Sequence, residues 1–436
     1  MRIADWRRVS AAAPVARGAT LIGSGGLVVL APHPDDECLG ASALLSGAAQ
    51  ARLPVGLVAL TDGENSHRNS AAFPPARLAE IRRAEQAAAM SALGCGQATV
   101  LRLGLTDGAS GQADIEATTE RIARFCDEIG ASALAATLPF DPHPDHEVAG
   151  RLAEAVRALR PRLRLLFYPV WSMRLAGDVE VGVDGLHPFR LTTPVSAKAK
   201  AIDCHSSQLG RLVDDDPDGF ALPDAFLAHH RGPFEAVAWA AMPGSPPGAV
   251  HFASLYADGG DPWHVRTSGY EAAKREITLE ALGSARVETT IEIGCGEGHL
   301  TARLAERSRR TIGVDLDPSI VARAGQAHAG VEGLAFAVAR LPDEFPDIAF
   351  DRLVISEVLY FLNEPSIRDL LARATPLARE GATILLVDYL GATDTPLSGE
   401  DAADFFIVSA EGWRHDRTER HDGFRLDLLT RAGAAL

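Results

Sequence analysis

LVVLAPHPDDECLG (residues 27–40) decides the fold of the N-terminal half. Leu27–Ala31 is a continuous apolar run, the pattern of a strand buried on both faces of a parallel sheet. It ends at Pro32, and His33, Asp35 and Asp36 follow at once, so they stand just past a strand's C-terminal end, where open α/β sheets bind ligands. Working outward, apolar runs at 55–60, 100–103 and 133–138 read as further strands. The stretches 41–52, 77–93, 116–129 and 147–159 read as helices between and after them. This alternation predicts a mainly parallel sheet with helices on both faces.

DPHPDHEVAG (141–150) repeats the arrangement, because it follows the predicted strand 133–138 and opens a helix. Either HPD alone is an ordinary turn whose Asp caps the next helix. Two of them at one edge of one sheet can converge. Imidazole and carboxylate together suit Zn²⁺, and a catalytic zinc takes three protein ligands and one water. A spare carboxylate beside it serves as general base.

The pair HPDDE and HPDH resembles the PIG-L/LmbE-like N-acetylglucosaminyl deacetylases. The likeness runs from about residue 27 to 208 through TDGE (61–64), RRAE with the downstream ALG (82–85, 92–94), LTDG (105–108) and KAKAIDCHSSQ (198–208). By motif match it implies that His33, Asp36 and His146 bind the metal and that Asp35 is the general base. It further implies that His143 stabilises the oxyanion or protonates the leaving amine, with Asp145 orienting it. Arg82 and Asp107 match positions that hold the sugar. Some relatives carry a tyrosine just before the second histidine motif, where Asp141 and Pro142 stand here. The ligand set also accepts iron.

A second alternating series follows AMPGSPPGAV (241–250), a Pro/Gly-rich linker. It divides the chain into domains 1–245 and 246–436. Ser268–Leu282 reads as a helix, and strands are expected at 289–293, 311–315, 334–338, 351–355 and 382–387. TTIEIGCGEGHLTARLA (289–305) reads as strand, glycine-rich turn and helix, with Gly294, Gly296 and Gly298 allowing a tight turn and close ligand approach. The spacing is GxGxG, not the dinucleotide GxGxxG. Glu292 precedes the first glycine, and Asp315 ends the next strand, where it can accept from both ribose hydroxyls. The tail 413–430 alternates around His421-Asp422-Gly423, a hairpin signal.

This half resembles the class I S-adenosylmethionine-dependent methyltransferases over about 251–436, a fold that closes its sheet with an antiparallel C-terminal pair. FASLYADGGDPWHVRTSGYEAAKREITLEAL (252–282) and FDRLVISEVLYFL (350–362) are similar to the nodulation-type N-methyltransferases, which methylate the free amine of a deacetylated chitooligosaccharide. That likeness makes Trp263, Tyr270 and Lys274 cofactor contacts and turns Glu357 and Tyr360 toward the acceptor. Relatives often place an acid after the third strand to read adenine; AVARLP (337–342) has none. The expected architecture is therefore α/β, two Rossmann-like three-layer domains in series.

Composition agrees. The chain has 436 residues and a formal net charge of −16, which opposes nucleic-acid binding and a polybasic membrane anchor. No stretch is apolar enough to span a bilayer. Five scattered cysteines (38, 95, 126, 204 and 295) read as reduced thiols of a cytoplasmic protein. The adjacent His229 and His230, the acidic loop Asp214–Asp216, Cys295 and His205 are not assigned to chemistry. The expectation is a bifunctional enzyme that deacetylates an N-acetylated amino sugar or glycoside and then N-methylates the freed amine. The alternatives are an independent O-methyltransferase fused to a deacetylase, and a second domain that only binds.

Overall fold

The computed structural model describes residues 1–244, 246, 247, 252, 256 and 261–433. Two compact units divide the chain, Met1–Ala241 and Met242–Leu436. The linker segment 241–250 and the cap segment 252–282 each fall partly outside the described residues, at 245, 248–250, 253–255 and 257–260. Among the described residues no helix is long and apolar enough to cross a membrane.

The first unit is built on β1 (Val15–Ala16), β2 (Gly26–Ala31), β3 (Val55–Ala59), β4 (Thr99–Arg102), β5 (Ala131–Thr137), β6 (Arg164–Tyr168), β7 (Leu186–Thr192) and β8 (Phe234–Ala240). Their order is β1-β7-β8-β6-β5-β2-β3-β4. The five strands from β6 to β4 are parallel. β2, β5 and β6 are apolar runs buried along most of their length, as a sheet covered on both faces requires. β8 runs antiparallel to both β6 and β7. This mixed extension is absent from the sequence reading because LHPFRLT of β7 lacks a continuous apolar run.

From β2 the chain moves outward through β3 and β4, then returns to β5 on the other side of β2. The strand order therefore reverses between β2 and β5, and a crevice opens at their C-terminal ends. Helix Pro144–Leu159 enters directly after β5, with His143 as N-cap and Pro144 in its first turn. Its Val148, Leu152 and Val156 pack with Val28 and Leu30 of β2 and Leu134 of β5 in the main core.

The second unit contains β9 (Val287–Ile293), β10 (Ser308–Asp315), β11 (Leu334–Val338), β12 (Phe350–Ser356), β13 (Ala378–Tyr389), β14 (Trp413–His421) and β15 (Phe424–Arg431). The order is β11-β10-β9-β12-β13-β15-β14. The β14–β15 hairpin turns at Asp422-Gly423 and joins antiparallel to β13. Helix Gly269–Ala281 is capped by Ser268, which accepts from Glu271 N. Its Ile277 and Ala281 pack against Leu385, Val387, Phe424 and Leu426. Here the order reverses between β9 and β12.

Candidate active sites

Three donor atoms converge at the β2/β5 crevice. His33 Nδ1 lies 3.2 Å from Asp36 Oδ2, His146 Nε2 lies 3.2 Å from the same oxygen, and the two ring nitrogens are 3.4 Å apart. The far nitrogen of each ring faces carboxylates. His33 Nε2 is 3.0 Å from Asp145 Oδ2 and 3.3 Å from Asp107 Oδ1, and His146 Nδ1 is 2.8 Å from Asp141 Oδ2. An ionised carboxylate only accepts, so the far nitrogens donate, and each neutral ring presents a lone pair on its near nitrogen. Two imidazole lone pairs and a carboxylate oxygen then repel unless a cation stands between them. Their spacings match the edge of about 3.3–3.4 Å of a tetrahedron with zinc–ligand bonds of about 2.0–2.1 Å. The donor set fits zinc and is also compatible with iron.

The same carboxylates attract protons when no metal does. Burial opposes the charged form of both rings, yet the neighbouring acids hold His33 well above its ordinary value and His146 at about 9. A metal bound there would have to displace protons. Two further trios of potential ligands share His33: with His143 and His146, and with Asp107 and Asp145.

Asp35 stands beside this cluster in a strained backbone conformation, at φ +148°. Strain of this kind persists where the surroundings hold it. Burial pushes its carboxyl up to about 7, against the pull of Arg82. Arg82 donates from Nη2 to Pro34 O at 2.9 Å, from Nη1 to Gly63 O at 2.9 Å, and approaches Asp35 Oδ2 at 3.4 Å. It is 3% exposed. The structure thus places Arg82 behind Asp35, engaged with protein oxygens, where the family likeness implies a sugar contact.

His143 is half-buried, and its Nδ1 accepts from Asp145 N at 3.3 Å. Nε2 then carries the hydrogen. Burial and the nearby His33 and His146 lower its pKa to about 4. Asp145 has more partners than His143 alone. Its carboxylate accepts from Gly108 N at 2.8 Å, Ser110 N at 3.1 Å and Ser110 Oγ at 2.6 Å, besides facing His33 Nε2. Its carboxylate faces His33, because from the first turn of its helix it reaches the 107–110 loop, and it meets His143 through its main-chain N–H. Asp107 faces His33 and accepts from Asn65 N at 2.9 Å.

Asp141 is the residue that sequence reasoning missed. It is fully buried, accepts from Trp171 N at 2.8 Å, Val170 N and Ser172 N, and holds His146 Nδ1. It precedes His146 by five residues.

The second unit encloses a cavity of about 890 Å³ at the β9/β12 crevice. Gly294, Gly296 and Gly298 all have positive φ. A Cβ on Gly294 would overlap Val358 and Ser356 O, whereas one on Gly296 would meet nothing within 4 Å. Gly294 thus marks a close approach of loop to loop, while Gly296 leaves space on the wall of the cavity. Asp315 fastens the loop, accepting from Gly296 N at 3.0 Å and Asp317 N at 3.2 Å. Glu292 is 2% exposed and its Oε2 lacks a partner. Burial raises its pKa to about 8. A buried acid with one unpartnered oxygen on the wall of this cavity fits a cationic cofactor such as S-adenosylmethionine.

Glu357, at φ +58°, joins the opposite wall. Its Oε1 accepts from Lys274 Nζ at 2.7 Å, and its Oε2 accepts from Tyr360 Oη at 2.6 Å and Tyr389 N at 3.1 Å. Lys274 also bonds Glu271 at 2.8 Å, and its ammonium lies 5.2 Å from the centre of the Tyr270 ring. Trp263 is 42% exposed and meets Tyr256 edge to face. Trp263, Tyr270, Lys274, Glu357 and Tyr360 all line the one cavity, as do Ala339 and Arg340.

An imidazole–carboxylate cluster at one strand reversal and a glycine-walled cavity at the other define the class: two Rossmann-like enzyme domains fused in one chain. The profile of the PIG-L family, described as GlcNAc-PI de-N-acetylase, matches residues 28–157, and that of a methyltransferase domain matches residues 291–381. The chain thus carries a PIG-L deacetylase domain at its N-terminus and a methyltransferase domain at its C-terminus. It is 28% identical over 105 residues to Nodulation protein S of Sinorhizobium fredii, covering 24% of this chain and 49% of that one. It is 34% identical over 140 residues to the 1D-myo-inositol 2-acetamido-2-deoxy-alpha-D-glucopyranoside deacetylase of Kineococcus radiotolerans, covering 31% of this chain and 37% of that one. The chain spans about half the length of the nodulation proteins it matches. The crystal structure of the N-methyltransferase NodS from Bradyrhizobium japonicum with S-adenosyl-L-homocysteine aligns at 19% identity and a TM-score of 0.38, over 42% of this chain and 99% of that one.

Proposed function

We propose that the chain is a bifunctional enzyme: a metal-dependent deacetylase of an N-acetylated amino sugar or glycoside, coupled to S-adenosylmethionine-dependent N-methylation of the freed amine. The observation that carries the reading is the convergence of His33, Asp36 and His146 beside a strained, buried Asp35, in the same chain as a methyltransferase domain. The Kineococcus relative is named for an N-acetylated amino-sugar glycoside, and this supports the substrate class.

His33, Asp36 and His146 would hold zinc, or iron. When bound, it supplies Lewis acidity toward the amide carbonyl and acidifies water. Asp35 takes the proton of the attacking water, its affinity for that proton set near neutrality by burial. Arg82 holds Asp35 from behind. His143 donates a hydrogen bond from Nε2 to the tetrahedral oxygen, the proton taken up by Asp35 passes to the departing nitrogen, and Asp145 and Asp107 fix His33. Acetate and a primary amine result.

S-adenosylmethionine would lie against Glu292, the glycine loop and Asp315, supplying an electrophilic methyl group. Trp263, Tyr270 and Lys274 wall that space, and Glu357 and Tyr360 bound the acceptor side. An amine of pKa about 8 keeps a usable neutral fraction, and in-line displacement is favoured by positioning. The sparse, unpaired cysteines support a cytoplasmic location.

The test is mass spectrometry of products from a panel of N-acetylated sugars and glycosides with labelled S-adenosylmethionine. The expected product is an N-methyl amine that requires both metal and methyl donor. Methyl transfer to a hydroxyl would end the coupling while leaving each half-reaction standing.

A further inference from the structure

His230 is the last residue of helix Asp224–His230, far in sequence from the HPD motifs, and it is 7% exposed. Both of its ring nitrogens face main-chain carbonyls. Nδ1 is 3.1 Å from Leu39 O and Nε2 is 3.1 Å from Val170 O. The two carbonyls belong to the two halves of the metal cluster. Leu39 lies in helix Asp36–Gly40, which begins with Asp36. Val170 opens the segment whose amides hold Asp141, and Asp141 holds His146.

The surroundings fix the ring. Phe226 packs against it with centroids 4.4 Å apart, and Trp171 stacks on Phe226 at 4.1 Å. Leu39 O also accepts from Lys198 Nζ at 2.6 Å, and Lys198 is held in turn by Glu235 at 2.7 Å. A neutral imidazole donates from one nitrogen only, so the ring bonds one carbonyl, and its bare nitrogen meets the other lone pair to lone pair, held at 3.1 Å by the packing around the ring. In either tautomer it sets the distance between the β2 loop and the segment that follows β6.

We infer that His230 is a positioning residue of the metal centre: it ties the Asp36 helix to the segment that anchors Asp141, and so holds the ligand atoms of His33, Asp36 and His146 at coordinating distance. The inference rests on the metal-site reading above. It follows the rule that groups supporting metal ligands tune affinity by about 10- to 100-fold when removed. A side chain that merely fills the core would leave affinity untouched once the protein is folded.

The experiment uses the full chain, stripped of metal and titrated with Co²⁺, following the visible absorption of a tetrahedral site. His230→Phe keeps the ring and the contact with Phe226 but loses both nitrogens; His230→Gln keeps one donor. Phe is expected to weaken Co²⁺ binding by roughly 10- to 100-fold and to lower the tetrahedral absorption, with Gln between Phe and wild type. If His230→Phe does not fold, the Gln variant decides, with at least about a threefold loss expected on the same scale. Wild-type affinity and spectrum in the folded variant overturn the inference alone. Absence of Co²⁺ binding by the wild-type chain overturns the metal reading and the inference with it.

Discussion

The two units share a plan and fill it differently. Each reverses strand order beside its first long strand, at β2/β5 and at β9/β12, and each gathers its candidate residues there. At the first reversal the loops carry His33, Asp35, Asp36, His143 and His146, and side-chain atoms close to within 3.2–3.4 Å. At the second they carry Gly294, Gly296 and Gly298, and the walls stand back around 890 Å³. The topology supplies a crevice in both cases. Side chains close one crevice to the spacing the proposed ion would need, and their absence leaves the other open enough for the proposed cofactor.

The largest effect expected is at the first crevice. Asp35 pairs with Arg82 and is not one of the three residues proposed to hold the metal, so Asp35→Ala should keep bound metal while deacetylation falls by about 10²- to 10⁴-fold, the usual weight of a general base. Metal content by elemental analysis and acetate release measure the two separately. Loss of metal along with activity would show that Asp35 belongs to the ligand set, and full activity would remove it from the mechanism.

The counterpart at the second crevice should respond less. Asp315 fastens Gly296 N and Asp317 N, and hydrogen bonds to a charged group are worth about 1.5–3 kcal/mol. Asp315→Ala is therefore expected to weaken S-adenosylmethionine roughly 10- to 100-fold by calorimetry. Unchanged binding would break the likeness between the two crevices, since the acid would then serve the loop and not its ligand.

How much of this was legible beforehand differs between the units for the same reason. His33, Asp36 and His146 sit on short motifs directly after strands, so spacing alone brings them together. The partners on their far nitrogens do not share that locality. Asp145 lies within the second motif, yet it turns to His33 because Gly108 and Ser110 are there to receive it. Asp141 depends on the 170–172 amides and His230 on two distant carbonyls, and no sequence pattern records either. In the second unit the three donors to Glu357 (Lys274, Tyr360 and Tyr389) come from separate elements, so spacing alone does not bring them together. The antiparallel β7 escaped because LHPFRLT lacks the apolar run that marked β2.

The glycines sharpen the contrast between wall and loop contact. Alanine at 294 must overlap Ser356 O and Val358 and also take a left-handed φ, together costing about 2–4 kcal/mol. Gly294→Ala should therefore lower the unfolding midpoint. Alanine at 296 has room, at φ +51°, so its penalty is about 1–2 kcal/mol of backbone strain, and its methyl group would stand on the wall of the cavity proposed for the cofactor. It should reduce S-adenosylmethionine affinity with only a small loss of stability. The reverse pattern, measured by thermal melts and calorimetry on both variants, would exchange the roles assigned to the two positions.

The smallest effect concerns protons. Burial raises Glu292 from 4.5 to about 8, so the folded unit without cofactor holds it protonated at neutral pH. An acid whose pKa is raised on folding contributes stability that is fully present below the unfolded value and is lost as pH climbs through the folded one. The window here runs from about pH 4.5 to about pH 8, and Glu292→Gln should flatten the decline in stability across it. A cationic cofactor favours the ionised form and so drives the proton off. Binding of S-adenosylmethionine near pH 7 should release a fraction of a proton to buffer, read as a dependence of the observed heat on buffer ionisation enthalpy. That dependence should shrink in Glu292→Gln. Equal proton release in both proteins would leave the orphaned carboxylate without a part in cofactor binding, and the second crevice would then work through backbone and Asp315 alone.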